Sequence, residues 1–88
     1  MPIVEFSPRF VRCYRKLPAA IRAKVDKQLA FLVKNPRHPS LQTKPVLGVK
    51  RIYEARIDQV YRLTYERLPD DTLLLRAVGR HDETLRNP

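Results

Sequence analysis

The chain has 88 residues, which is enough for one small domain spanning residues 1–88. Eighteen Lys and Arg residues against nine Asp and Glu give a formal charge of +9, which predicts a polyanionic partner or an acidic protein partner. The single cysteine, Cys13, excludes an internal disulfide and a cysteine-rich zinc site.

Neither a membrane span nor a signal peptide is indicated. No apolar run approaches the roughly 18 residues that a spanning helix needs. Residues 1–6 lack the basic and long apolar regions of a signal peptide. We therefore expect a soluble, cytoplasmic protein that does not contact a membrane.

The first third of the chain predicts a strand followed by two helices. Residues 2–6 are a short β-branched run that is typical of an edge strand. Ser7 and Pro8 supply an N-cap and a first-turn proline. The second helix begins at Pro18 and ends at Asn35, because a residue before proline avoids helical backbone. Two helices joined by so short a turn indicate an antiparallel pair whose apolar stripes face the core.

The central stretch, residues 51–65, reads as two strands joined at Asp58 and Gln59. Side chains two positions apart share a face of a strand. One predicted face is apolar and covers the core: Tyr53, Ala55, Ile57, Tyr61, Leu63 and Tyr65. The other face begins at Ile52 and is otherwise polar: Glu54, Arg56, Arg62 and Thr64. The basic, proline-rich residues 35–49 before it predict an irregular loop in which His38 is solvated.

A third strand is expected over residues 72–78, after a turn at residues 68–71. Its three adjacent leucines indicate burial on both faces, and Gly79 is expected to end it. The order is therefore β-α-α-β-β-β. We predict an α+β fold of two layers, in which a helical pair packs on one face of a small antiparallel sheet and the other face is partly open.

The chain has polar side chains that suit cleavage of RNA. In a meander of three strands the end of the last strand can approach the middle strand, which would bring His81 near Arg62 and Glu54. A histidine titrates near neutral pH, and arginine binds phosphate with a planar, bidentate group. A 2′-hydroxyl could then attack phosphorus without a metal or cofactor, with one group accepting its proton and another protonating the 5′-oxygen.

Each of these residues also has a structural interpretation. Glu54 and Arg56 suit cross-strand ion pairs. His81 suits an exposed surface position, and Asp82 suits the cap of a last helical turn at residues 83–85. The residues alone leave both interpretations open.

Two segments, YEARI…YRLTY and LLLRAVGRHD, resemble the RelE/ParE superfamily of bacterial toxin–antitoxin toxins. The resemblance covers nearly the whole chain. It implies an endoribonuclease that cleaves mRNA, often on the ribosome, and that an acidic antitoxin neutralises. In this comparison Arg62 binds the scissile phosphate, His81 is the general acid, Glu54 is the candidate base and Arg56 contacts phosphate. The basic set expected to bind RNA comprises Lys44, Lys50, Arg51 and Arg80.

This chain departs from several relatives in that it has no tyrosine after Tyr65 and no paired lysines on the strand that carries Glu54. Two alternatives therefore accompany the endoribonuclease. The ParE branch shares the fold and inhibits DNA gyrase without an acid–base pair. An inactive relative would act with its antitoxin on DNA.

Overall fold

The N-terminal strand and the two long helices form at the predicted signals. In this computed structural model, which describes residues 2–88, strand β1 spans Ile3–Phe6, helix α1 Pro8–Arg15 and helix α2 Ala19–Lys34. Ser7 caps α1, because its Oγ accepts a hydrogen bond from the backbone N–H of Phe10 at 3.0 Å. Pro18 and Asn35 are the caps of α2.

The rest of the chain supplies a short 3-10 helix at Pro39–Leu41, four strands and a third α-helix. The strands and the α-helix are β2 (Lys44–Pro45), β3 (Ile52–Arg56), β4 (Tyr61–Arg67), β5 (Thr72–Arg80) and α3 (His81–Arg86). The order across the sheet is β1-β5-β4-β3-β2, with β1 parallel to β5 and the other pairs antiparallel. The predicted α+β architecture is confirmed, but the sheet is mixed and not wholly antiparallel, because β1 pairs in parallel with β5. The sequence also missed β2 and the full length of α3.

The helical pair packs on the predicted apolar face of the sheet. Phe10 of α1 and Val25 and Leu32 of α2 join one buried cluster with Leu63 and Leu75 of the sheet. Burial of such side chains contributes roughly 1.5–3 kcal/mol each and is the main stabilising contribution here. No helix within residues 2–88 is both long enough and apolar enough to cross a membrane.

Gly79 lies inside β5 and does not end it, contrary to the prediction. It pairs with Arg62 across the sheet. A Cβ atom at this position would lie 3.0 Å from Thr84 Oγ1 of α3. The glycine therefore permits a close approach of α3 to the sheet face opposite the helical pair, where it packs against β4 and β5.

A β-bulge interrupts the pairing of β4 with β5. Thr64 pairs with Ala77 and Tyr65 with Leu75, which leaves Arg76 as an extra residue in β5. Leu75 and Val78 consequently share the core face although they are three positions apart. The bulge therefore shifts the alternation of inward and outward side chains by one position after Leu75.

Candidate functional site

Arg62 is held in place by the turn that joins β3 to β4. Its Nη1 donates hydrogen bonds to the carbonyl oxygens of Asp58 and of Tyr61, the latter at 2.9 Å. The side chain is only 16% exposed. Its guanidinium is therefore pre-oriented at the start of β4, which lowers the entropy lost when it binds an anion.

The Asp58 carboxylate closes the same turn. Its Oδ1 accepts hydrogen bonds from the backbone N–H groups of Val60 and Tyr61, each at 2.8 Å, and its Oδ2 lies 3.1 Å from Lys24 Nζ. Burial opposes ionisation, yet the hydrogen bonds from Tyr61 and Val60 and the Lys24 charge outweigh it. The pKa of Asp58 is thus lowered from 3.8. The ionised Asp58 side chain therefore stabilises the turn that orients Arg62.

His81 is the first residue of α3 and lies beside this turn. Its backbone N–H donates to the carbonyl of Val60 at 2.7 Å. The imidazole is about half exposed, with Nδ1 3.3 Å from Asp82 Oδ1. The side chain is therefore accessible to a ligand from solvent.

His81 and Arg62 line one open cavity of about 350 Å³, together with Gln59, Val60, Arg80 and Asp82. The cavity thus combines a titratable imidazole with two guanidinium groups. Such a surface can bind an anion and exchange a proton with it.

Glu54 and Arg56 lie next to this cavity and do not line it. Glu54 is buried on β3, where its Oε1 lies 3.9 Å from Arg62 Nε and 3.8 Å from Lys44 Nζ. Arg56 is half-buried and is the cross-strand partner of Arg62. The structural interpretation of Glu54 therefore holds in part, since its ion pairs are with Arg62 and Lys44.

The predicted RNA-binding residues fall in three places. Arg80 lines the His81 cavity, and Lys44 lies beside Glu54. Lys50 and Arg51 are exposed at the start of β3, where the carbonyl of Arg51 accepts from Arg67 N–H at 2.9 Å. That end of the sheet is five residues of strand away from Arg62, or roughly 17 Å at the usual rise.

The sequence analysis missed Gln28, which connects α2 to the sheet. Its buried side chain donates from Nε2 to the carbonyls of Arg56 at 2.7 Å and Ser40 at 3.1 Å. A signal existed, because Gln28 lies three residues after Val25 and four before Leu32 on the apolar stripe. A polar residue in such a stripe predicts a buried hydrogen bond.

His38, which the sequence predicts to be a solvated loop residue, is instead held by two contacts. Its Nδ1 accepts a hydrogen bond from the Ser40 N–H at 3.1 Å, and its ring stacks on Phe31 with 3.9 Å between centroids.

Within residues 2–88, no group of three or more His, Cys, Asp and Glu side chains is arranged to hold a metal ion.

Solved structures of toxins share this fold. RelE of the E. coli RelBE toxin–antitoxin complex is 22% identical with a TM-score of 0.73, covering 91% of this chain and 96% of that one. E. coli YafQ is 20% identical with a TM-score of 0.74, covering 94% and 97%. YoeB of Staphylococcus aureus, which forms a dimer, is 18% identical with a TM-score of 0.73, covering 91% and 97%.

The model of the family described as "ParE toxin of type II toxin-antitoxin system, parDE" matches residues 4–85. The chain therefore belongs to this family of type II toxin–antitoxin toxins, and the expected RelE/ParE superfamily is confirmed. No curated protein sequence matches it.

Proposed function

We propose that this toxin is an endoribonuclease that cleaves mRNA on the ribosome and so inhibits translation. The observation that carries the proposal is the cavity that His81 shares with Arg62. His81 offers an imidazole that can donate a proton, and Arg62 offers a fixed positive charge that can bind phosphate. A proton donor and a fixed positive charge both accelerate RNA cleavage through the 2′-hydroxyl, which can proceed without a metal ion.

In the proposed reaction the 2′-oxygen attacks the adjacent phosphorus and the bond from phosphorus to the 5′-oxygen breaks, which leaves a 2′,3′-cyclic phosphate. Glu54 takes the proton of the 2′-hydroxyl, and the imidazolium of His81 gives a proton to the leaving 5′-oxygen. Arg62 and Arg56 stabilise the charge that develops on the phosphorane oxygens. Protons and electrons balance over the step.

Substrate must reach Glu54 past Lys44 in this mechanism. The Glu54 side chain is 6% exposed, whereas the Lys44 side chain is 67% exposed. A surface ammonium at 3.8 Å is weakly held and can move to the phosphate of an incoming strand. We propose that Lys44, Lys50, Arg51 and Arg80 bind phosphate groups of the RNA backbone.

The test is cleavage of a defined mRNA in EDTA, with and without programmed ribosomes. His81→Gln and Arg62→Ala should each lower the rate at least about a hundredfold. Arg12→Ala and Arg15→Ala are matched controls, since both residues are exposed on α1. Equal losses in the controls, or full activity of His81→Gln, would contradict the proposal.

The family match favours one second candidate, because the matching model describes ParE toxins. The ParE branch inhibits DNA gyrase by binding and has no need of the His81 imidazole. If wild-type protein cleaves no RNA, DNA supercoiling by gyrase is the next assay. Inhibition that survives His81→Gln would favour this candidate.

We also propose an acidic antitoxin as partner, since the chain has a formal charge of +9 and the E. coli RelBE and DinJ–YafQ structures are toxin–antitoxin complexes. Strand β1 is an edge strand with exposed Ile3 and Phe6. Phe6 also lines an apolar cavity of about 390 Å³ with Phe10, Val11, Tyr14 and Leu29 among its walls. Phe6→Glu should weaken the complex and spare RNA cleavage, whereas unchanged affinity would place the antitoxin elsewhere.

A further inference from the structure

A larger cavity lies at the opposite end of β3 and β4 from His81. Its volume is about 600 Å³, within the usual range of about 300–1,000 Å³ for small-molecule sites. Residues 35–39 and 42–45 form one wall, and Tyr53, Tyr65, Arg67 and Leu73 form the other. It shares no lining residue with the His81 cavity among those described.

The walls of this cavity carry positive charge. Arg37, Lys44 and Arg67 line it, and none of the lining residues described is acidic. Asp71, 3.8 Å from Arg67 on the exposed surface, offsets the Arg67 charge only weakly. The buried Glu54 lies 3.8 Å from Lys44 and offsets the Lys44 charge, so Arg37 and Arg67 supply the net positive charge of the cavity. A concave surface of one sign concentrates ligands of the opposite sign, so the cavity favours an anion.

The same walls carry aromatic rings. Tyr53 and Tyr65 stack across the β3–β4 pair with 5.6 Å between centroids and 20° between planes. His38, another lining residue, is fixed by its stack on Phe31. Tyr65 is buried and fixes the half-buried Tyr53 ring, which provides a stacking surface for a planar group such as a nucleobase.

We propose that this cavity binds one nucleoside phosphate, with its base against Tyr53 and its phosphate between Arg37 and Arg67. The ligand is either a free mononucleotide or one nucleotide of a bound RNA. A simple anion would interact only with the arginines of the cavity, and a neutral aromatic compound would interact only with its rings. Of the lining residues described, only Lys44 also belongs to the proposed RNA contacts, whereas Arg37, Arg67 and Tyr53 do not, so variants of these three test the site separately from the proposed function.

The test is a titration of the full chain with AMP, followed by NMR signals of Tyr53, Tyr65 and Arg37. Inorganic phosphate and adenosine, titrated alone, should each bind more weakly than AMP. The double variant Arg37→Ala/Arg67→Ala should lower affinity for AMP at least about tenfold, because charge-assisted hydrogen bonds to phosphate are lost. The matched control, Arg12→Ala/Arg15→Ala, removes the same charge from exposed positions on α1 and should leave affinity unchanged. Thermal melting checks that both variants fold.

A second arm uses a tetranucleotide with 2′-O-methyl groups, which cannot be cleaved through its 2′-oxygens. If AMP shifts the NMR signals, the ligand is a free mononucleotide. If only the tetranucleotide shifts them, the ligand is one nucleotide of an RNA. Either result supports the proposal, provided that the double variant abolishes the shifts. Phosphate that binds as tightly as AMP, equal losses in the control variant, or unshifted tyrosine signals would each overturn it. Binding of AMP by a protein that cleaves no RNA would support this site and contradict only the proposed cleavage.

Discussion

The backbone N–H of His81 donates a 2.7 Å hydrogen bond to the carbonyl of Val60. This bond joins the first turn of α3 to the turn between β3 and β4, whose other carbonyls hold Arg62. Two residues far apart in sequence are thereby fixed on one cavity by backbone contacts. Changes in the turn or in α3 should therefore alter the geometry of the pair.

The contact between Gly79 and Thr84 gives the first prediction. Gly79→Ala should lower the free energy of unfolding by about 1–3 kcal/mol, because its Cβ meets Oγ1 of the buried Thr84 at 3.0 Å and Thr84 must shift to accommodate it. It should also reduce RNA cleavage, since His81 begins that helix. Urea unfolding measures the first effect. In Gly79→Ala/Thr84→Ala the cost should be less than the sum of the single changes, and strict additivity would contradict the contact.

Gln28 gives the second prediction. Gln28→Leu should lower the free energy of unfolding by about 1–3 kcal/mol, because it leaves the carbonyls of Arg56 and Ser40 without their side-chain donor. Ser40→Ala removes only the hydrogen bond from Ser40 Oγ to Gln28 Oε1 and should cost about 0.5–1.5 kcal/mol. Urea titration of both variants tests this order. A larger loss for Ser40→Ala than for Gln28→Leu would show that the Arg56 bond contributes little.

Asp58 gives a prediction about pH. Its pKa is lowered in the folded protein, so its charge contributes stability that is present above about pH 4 and lost as pH falls through the folded value. Asp58→Asn should be less stable than wild type at about pH 7, and the difference should shrink below about pH 4. Unfolding in urea at both pH values measures it. Asp71→Asn, on an exposed turn, is the control and should cost no more than about 0.5 kcal/mol.

Glu54 gives a prediction that separates two roles under the proposed function. If Glu54 is the base, Glu54→Gln lowers kcat and removes the acidic limb of the pH–rate profile. If Glu54 only positions Arg62 through their 3.9 Å contact, the variant raises KM and keeps that limb. We expect the first result. Single-turnover cleavage across pH measures both quantities, and Glu66→Gln, whose partner is Arg76, is the matched control.

Local signals in the sequence were sufficient for most of the fold. Ser7, Pro8 and the Asn35–Pro36 pair mark the helix ends by their own backbone preferences, and strict alternation marks β3 and β4. These signals depend on neighbours within a few residues. The predicted order of the strands also placed His81 near Arg62.

What the sequence did not predict depends on contacts between distant residues. In the sequence Gly79 indicates the end of a strand, whereas in the structure it is required by the close approach of Thr84 of α3. The extra residue at Arg76 shifts the alternation of β5, and only pairing with β4 reveals that shift. Burial of Glu54 likewise follows from tertiary packing, which the polar pattern of β3 cannot indicate.

The parallel pairing of β1 with β5 has a consequence for synthesis. β5 is the hydrogen-bonded neighbour of β1, and residues in contact there, such as Ser7 and Arg76, are 69 positions apart. A nascent chain that lacks β5 leaves β1 and α1 without the strand on which both pack. The toxin should therefore acquire its fold only when translation has passed residue 80, and an interrupted message should yield an unfolded, protease-sensitive and harmless chain.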